Sequence, residues 1–217
     1  MTSARPSPAS TSLSNTDRLV LLRTFGPDGR ETRCSCCAGV RCVERERLRT
    51  RLGHRRFARL GRALGHPDVR VTVHGWDLQN PARDFRLLGV VRDGSAFVVR
   101  GRSGLKRFAA GQFAVTEHSD IALARALVDA LPTAAAGGQF SAHPLDDSPQ
   151  AQRFLDTDRR RVGYFDITAA QTDSRVRLGW QDLADDGRYL IGAGSPAVAV
   201  SVDRELLVRT LRIAVSS

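Results

Sequence analysis

Strands, a hairpin and a helix follow one another twice along this chain, and that order constrains the fold more than any other feature. Residues 64–132 begin with an alternating strand at 69–73, pass through a hairpin whose turn is Asp93-Gly94, and close on a helix over 119–131. An Asp-Gly pair favours a two-residue hairpin turn because such turns need backbone conformations with positive φ. This half of the chain is therefore predicted to form paired strands followed by a helix.

Residues 149–217 repeat the same order. Strands are predicted at 162–169 and 174–180, with a hairpin turn at 185–187 and a last helix that begins within 201–203. Runs of strands that end in helices favour antiparallel pairing over a doubly wound parallel sheet. The sequence thus predicts the α+β class, with an antiparallel central sheet, flanking helices and two pseudo-repeated strand-hairpin-helix halves.

The first part of the chain has a different composition. Residues 1–42 are rich first in Ser, Pro and Thr and then in Cys and Arg, so we expect this segment to be poorly ordered. Residues 43–217 are predicted to form one domain, in keeping with the usual size of domains. This domain is expected to open with a helix over 43–64, although Gly53 and Gly61 lower the helix propensity of that stretch.

The excess of positive charge lies at the beginning of the chain. The formal net charge is +10 at pH 7, yet residues 1–66 hold 14 Arg against 5 acidic residues, while residues 67–217 hold 19 basic against 18 acidic residues. Lys106 is the only lysine, so nearly all the positive charge is arginine. Phosphate binding does not exclude lysine, and this preference for arginine is instead typical of GC-rich, actinobacterial coding. Nucleic acid is therefore not the expected partner. The alternative that stays open is a basic DNA-binding or regulatory protein that uses the Arg-rich segment 41–62.

No segment of the sequence has the properties of a membrane span or a leader. No apolar run approaches the ~20 residues that a membrane-spanning helix needs. The beginning of the chain, MTSARPSPASTSLSN, lacks the apolar core of a signal peptide. We therefore expect a cytoplasmic protein with no membrane partner.

Four cysteines lie close together near the start of the chain, at Cys34, Cys36, Cys37 and Cys42. Thiolates are preferred zinc ligands, but structural zinc sites usually draw two pairs of ligands from separate stretches, and here all four share one stretch. We therefore expect incidental thiols and no metal site, while a zinc-dependent module stays an open alternative.

No combination of residues indicates catalysis. The sequence contains no G-x-S-x-G elbow, no P-loop and no G-x-G-x-x-G dinucleotide fingerprint. The histidines are scattered, and none lies at ligand spacing from another. We therefore expect a protein that is not an enzyme and that uses no catalytic residue and no cofactor.

Several stretches of the domain together resemble one family. These stretches are 64–76 (LGHPDVRVTVHGW), 87–99 (LLGVVRDGSAFVV), 124–132 (ARALVDALP), 186–190 (DGRYL) and 201–207 (SVDRELL). In order and spacing they are similar to the core patterns of the EspG family of type VII (ESX) secretion chaperones, over about residues 60–215. Before residue 43 the chain departs from that family, whose members usually have an N-terminal strand and several helices there.

The resemblance implies a central sheet flanked by two helical bundles in a quasi-twofold arrangement. It also implies a cytosolic chaperone that binds the tip of a PPE-type protein within a PE–PPE pair. In the family, the loop after the opening strand and the C-terminal helical side grip that partner.

The loop in question corresponds here to residues 75–84. In this loop we expect Trp76 to be an aromatic anchor and Arg83 a charged orienter, because both residue types are enriched at hot spots, and Leu78 to bind the partner beside them. The alternative is that Trp76 and Leu78 fold back onto the core. The oligomeric state stays open.

Overall fold

The computed structural model describes residues 10–13, 47, 49–101 and 113–216. Within them lie ten strands: β1 (Ser10–Leu13), β2 (Val69–Asp77), β3 (Phe85–Arg92), β4 (Ser95–Gly101), β5 (Phe113–Ser119), β6 (His143–Pro144), β7 (Arg159–Ala169), β8 (Ser174–Leu183), β9 (Arg188–Gly192) and β10 (Val198–Ser201). The helices are α1 (His54–Gly65), α2 (Leu123–Asp129), α3 (Pro149–Asp156) and α4 (Arg204–Ser216), with 3-10 helices at Pro81–Arg83 and Asp120–Ala122. No helix in these described ranges is long and apolar enough to cross a membrane.

The strands form one sheet. Their order across it is β1-β5-β4-β3-β2-β7-β8-β9-β10-β6, and every neighbouring pair is antiparallel. The predicted α+β class, with an antiparallel central sheet and flanking helices, is confirmed. The chain twice forms four strands and then a helix: β2 to β5 are followed by α2, and β7 to β10 are followed by α4. The first strands of these two series, β2 and β7, are neighbours at the centre of the sheet. The pseudo-repeat of two halves stays a prediction.

Helices α2 and α4 pack on one face of the sheet and form the main hydrophobic core with it. Alternation along β2 sends every second side chain to this face, including Val71 and Val73. Leu127 of α2 and Leu211 of α4 are fully buried in the same cluster. Burying one leucine side chain stabilises the folded state by about 1.5–3 kcal/mol. This cluster therefore determines which face of the central strands is buried.

Helices α1 and α3 pack on the opposite face, each over the outer strands of one half. Phe57 and Leu60 of α1 are buried with Phe97 of β4 in one cluster. Phe154 of α3 is buried with Tyr189 of β9 in another, with their rings 5.2 Å apart. The middle of this face, over β2, β7 and β8, lies between the two clusters.

Two predicted helices have different boundaries in the structure. The described part of the helix predicted over 43–64 is interrupted at Gly53, whose φ of 79° does not continue an α-helix, and α1 begins only at His54. The helix predicted over 119–131 starts as a 3-10 turn and becomes α-helical from Leu123. In both places the structure has an α-helix, but the backbone is not α-helical at Gly53 or over Asp120–Ala122.

Three strands and one helix of the structure are not among the sequence-based predictions, namely β1, β5, β6 and α3. The beginning of α3 has a recognisable signal, because the Ser148 hydroxyl accepts a hydrogen bond from the Ala151 backbone N–H at 3.2 Å. Pro149 then occupies the first helical turn, where its missing N–H has no cost. The helix is short, so its apolar period is too brief to predict it alone.

Part of the segment expected to be poorly ordered belongs to the sheet. Residues 10–13 form β1, which pairs with β5 from Ser10 opposite Thr116 to Leu13 opposite Phe113. The remainder of the segment 1–42, with its four cysteines, lies outside the described residues. The domain boundary near residue 43 stays a prediction.

Candidate protein-binding surface

The middle of the sheet face between α1 and α3 presents aromatic and charged side chains. The cluster under α1 reaches as far as Leu88 of β3, and the cluster under α3 reaches as far as Ile191 of β9 and Leu183 at the end of β8. Between these limits, alternation and strand pairing place one set of side chains together on the face opposite α2 and α4. We refer to this set as the central strip, which consists of Thr72, His74, Trp76, Arg86, Tyr164, Asp166, Arg175 and Arg177.

Three rings of the central strip form one aromatic cluster. His74 and Tyr164 lie directly opposite each other on β2 and β7, with ring centroids 5.0 Å apart and ring planes inclined by only 11°. Trp76 lies beside them, with its ring centroid 5.9 Å from that of His74 and 5.8 Å from that of Tyr164. On the β8 side, the guanidinium carbon of Arg177 lies 4.9 Å from the centre of the Tyr164 ring. Tyr164 is thus flanked by His74 on one side and by Arg177 on the other.

Two arginines of the central strip are held by one carboxylate. Arg175 donates from Nε to Oδ1 of Asp166 at 2.9 Å and from Nη2 to Oδ2 at 2.7 Å, while Arg177 donates from Nη2 to Oδ2 at 3.1 Å. The hydrogen bond from Arg175, assisted by that from Arg177, lowers the pKa of Asp166 to about 2 despite partial burial of the carboxyl group. Asp166 is therefore ionised at neutral pH and orients both guanidinium groups, which stay 63% and 56% exposed.

His74 lies between groups of opposite charge. Its pKa is lowered from the ordinary value, first by burial and then by the positive charge of Arg86 opposite it on β3, while Asp166 acts in the other direction. Since an ordinary imidazole has a pKa of about 6.5, His74 is neutral at pH 7. At pH 7 the central strip therefore carries three positively charged arginines and one negatively charged carboxylate. With its three rings, the strip is both basic and aromatic.

The residues predicted to bind a partner lie at the end of β2 and in the connection after it. Trp76 is the next-to-last residue of β2 and is 38% exposed, and Leu78 follows that strand and is 54% exposed. Arg83 ends a 3-10 helix, is exposed, and forms no ion pair with another described residue. Trp76 therefore belongs to the central strip, and Leu78 adds a second exposed apolar side chain close to it in the chain.

The predicted loop 75–84 is partly strand, since β2 continues through Asp77. The connection that remains is held by side-chain hydrogen bonds. Oδ1 of Asp77 accepts from the backbone N–H of Asn80 at 2.9 Å, and Oδ1 of Asp84 accepts from the backbone N–H of Asp77 at 2.9 Å. Because these bonds fix the backbone beside Trp76, a partner that binds there orders little additional chain.

Tyr164, Asp166 and Arg177 are candidate binding residues that the sequence patterns do not reveal. Each lies at an alternate position of a predicted strand, which indicates one exposed sheet face and nothing more. The pairing of β7 with β2 brings Tyr164 beside Trp76, and this pairing joins strands that are far apart in the sequence.

Two arginines of the Arg-rich segment 41–62 pair with the sheet. Nε of Arg56 lies 3.3 Å from Oε2 of Glu117, and Nη2 of Arg59 lies 2.6 Å from Oε1 of the same carboxylate on β5. The Glu117 carboxylate offsets one of these two positive charges, which a nucleic-acid interface on α1 would need. Cys34, Cys36, Cys37 and Cys42 lie outside the described residues. Within the described ranges, no three or more His, Cys, Asp or Glu side chains form a group that could hold a metal ion.

A scan against protein-family models gave no match to this chain, and a search of curated proteins gave none either. The fold and the surface together define an α+β protein with a basic, aromatic strip on one sheet face, between two helices.

Proposed function

We propose that this protein is a non-catalytic adaptor that binds another protein through Trp76 and Leu78. The observation that carries the proposal is the joint exposure of these two large apolar side chains beside a rigid turn. Tryptophan is among the residues most enriched at binding hot spots, and a fixed backbone lowers the entropic cost of binding.

The resemblance to the EspG family suggests which partner this is. We infer a cytoplasmic chaperone of type VII (ESX) secretion whose partner is a PPE-type protein of a PE–PPE pair. The inference is supported by the position of the resembling stretches, since they include most of β2, the β3–β4 hairpin and the beginning of α4. Trp76 stands at the end of the first of these stretches, before the connection that contacts the partner in that family.

The proposal is tested by affinity capture from the native cytosol, with identification of the retained proteins. The protein is immobilised as the unaltered chain and as a Trp76→Ala/Leu78→Ser variant. A Leu155→Ser variant is the control, because Leu155 is an exposed leucine on α3, at a distance from β2 in the fold. A PE–PPE pair should be retained by the unaltered chain and by the control, and lost by the double variant. Equal retention by all three proteins would contradict the proposal.

A further inference from the structure

We propose that the central strip binds an acidic segment of the partner protein, with Arg177 and Arg175 contacting its carboxylates. This inference rests on the proposed function, because it names the chemistry of the partner at the same surface. Trp76 belongs both to the proposed partner-binding surface and to the central strip, since it is exposed at the end of the strip and contacts both His74 and Tyr164.

The charges of the strip favour an anionic partner. Arg175 and Arg177 are more than half exposed, and Asp166 already holds their guanidinium groups in position. Arg177 uses one of its five N–H groups on Asp166, so further donors remain for a carboxylate of the partner. A guanidinium that is oriented before binding loses less side-chain freedom when it meets a carboxylate.

The orientation of the rings favours a peptide over a single-stranded nucleic acid. Single strands bind by stacking their bases on exposed aromatic faces. Here His74 and Tyr164 face each other, and Arg177 covers the other face of Tyr164, so this pair presents ring edges to the outside. The edge of an aromatic ring carries partial positive charge and suits a carboxylate rather than a base.

Charge disfavours two other occupants of the central strip, namely the beginning of this chain and a second copy of the protein. Residues 1–66 of this chain hold 14 Arg against 5 acidic residues, so they share the sign of the strip. A second copy that presents the same strip would place arginines against arginines. An acidic segment that also carries apolar residues satisfies both the arginines and the exposed side chains of Trp76 and Leu78.

The test uses two fluorescent synthetic peptides, one of alternating Glu and Leu and one with Gln in place of every Glu. Fluorescence anisotropy measures their binding to the full chain at low and at physiological ionic strength. The Glu peptide should bind in preference to the Gln peptide, and Arg177→Glu should weaken its binding at least about tenfold. Arg153→Glu makes the same charge change at an exposed position of α3, over the outer strands, and should leave binding unchanged.

Thermal melts of each variant accompany the titrations. If Arg177→Glu unfolds the protein, Arg177→Gln replaces it, with a smaller loss of binding expected. Equal binding of the two peptides, or full binding by both Arg177 variants, would overturn the inference. So would tighter binding of an oligo-dT strand than of the Glu peptide, because the surface would then be a nucleic-acid site.

The affinity capture separates failure of this inference from failure of the proposed function. If partner capture depends on Trp76 and Leu78 but is unaffected by Arg177→Glu and by salt, the partner does not use the strip and only the inference fails. If capture depends on none of these residues, both fail.

Discussion

Gly75 of β2 lies directly opposite Gly163 of β7, and the side chains of Phe85 and Trp180 occupy the space over these two glycines. A Cβ atom at Gly75 would overlap the Phe85 ring, and one at Gly163 would overlap both the Trp180 ring and the backbone carbonyl of His74. The two large rings are themselves stacked, with centroids 6.1 Å apart. The centre of the sheet thus depends on paired glycines that admit a pair of aromatic side chains.

Gly163→Ala should destabilise the fold, because the added methyl group meets a backbone atom that has little freedom to move. We expect a loss of about 1–3 kcal/mol in the free energy of unfolding, the usual cost of overpacking. Gly179→Ala on β8 is the matched control, since its nearest neighbour, Cβ of Ile191, would lie at an ordinary 3.4 Å. Urea unfolding measures both, and an equal effect of the two substitutions would contradict the packing described here.

The Asp182 carboxylate should be essential to stability, because it accepts two hydrogen bonds from Arg188, at 2.7 and 3.0 Å, and both residues are buried. Asp182→Asn leaves the Arg188 charge without its counter-charge, which costs about 3–5 kcal/mol in comparable buried pairs. Asp185→Asn, in the exposed turn that follows β8, should change stability by less than about 0.5 kcal/mol. Calorimetric melts of the two variants decide this, and similar melting temperatures would show that the pair is dispensable.

The stability of the protein should fall as pH decreases through the ordinary pKa of histidine. The groups that face His74 are Arg86 of β3, Tyr164 and Asp166 of β7, and Trp76 on its own strand. Because folding lowers the pKa of His74, the unfolded chain binds a proton at a pH where the folded protein does not, which favours unfolding. His74→Gln should make the loss of stability between about pH 7.5 and pH 5.5 smaller than in the unaltered protein. An identical loss in both would show that His74 does not contribute.

The elements that the sequence predicts correctly have strong local signals. The β3–β4 hairpin has alternating apolar residues on both sides of Asp93-Gly94, and its strands pair from Arg92 opposite Ser95 onward. The final helix, α4, begins at Arg204, close to the predicted start, and buries Leu207 and Leu211.

The elements that the sequence does not predict depend on distant contacts. Nothing local indicates that β2 pairs with β7. The resemblance therefore predicts Trp76, Leu78 and Arg83 as partner-binding residues, but not Tyr164 or Arg177. The predicted loop 75–84 was too long for a related reason, because pairing with β7 extends β2 as far as Asp77.

Calorimetric titration of the captured partner into the unaltered chain and into Trp76→Ala, Leu78→Ser and Leu155→Ser tests the central claim most directly. Trp76→Ala and Leu78→Ser should each weaken binding by about 2 kcal/mol, a central value for a hot-spot residue, and Leu155→Ser should bind with full affinity. Melts of the same samples should stay within about 1 kcal/mol of the unaltered protein, the scale of the ring contacts that Trp76 makes with His74 and Tyr164. Full affinity of a stably folded Trp76→Ala variant would contradict the claim that this surface binds the partner.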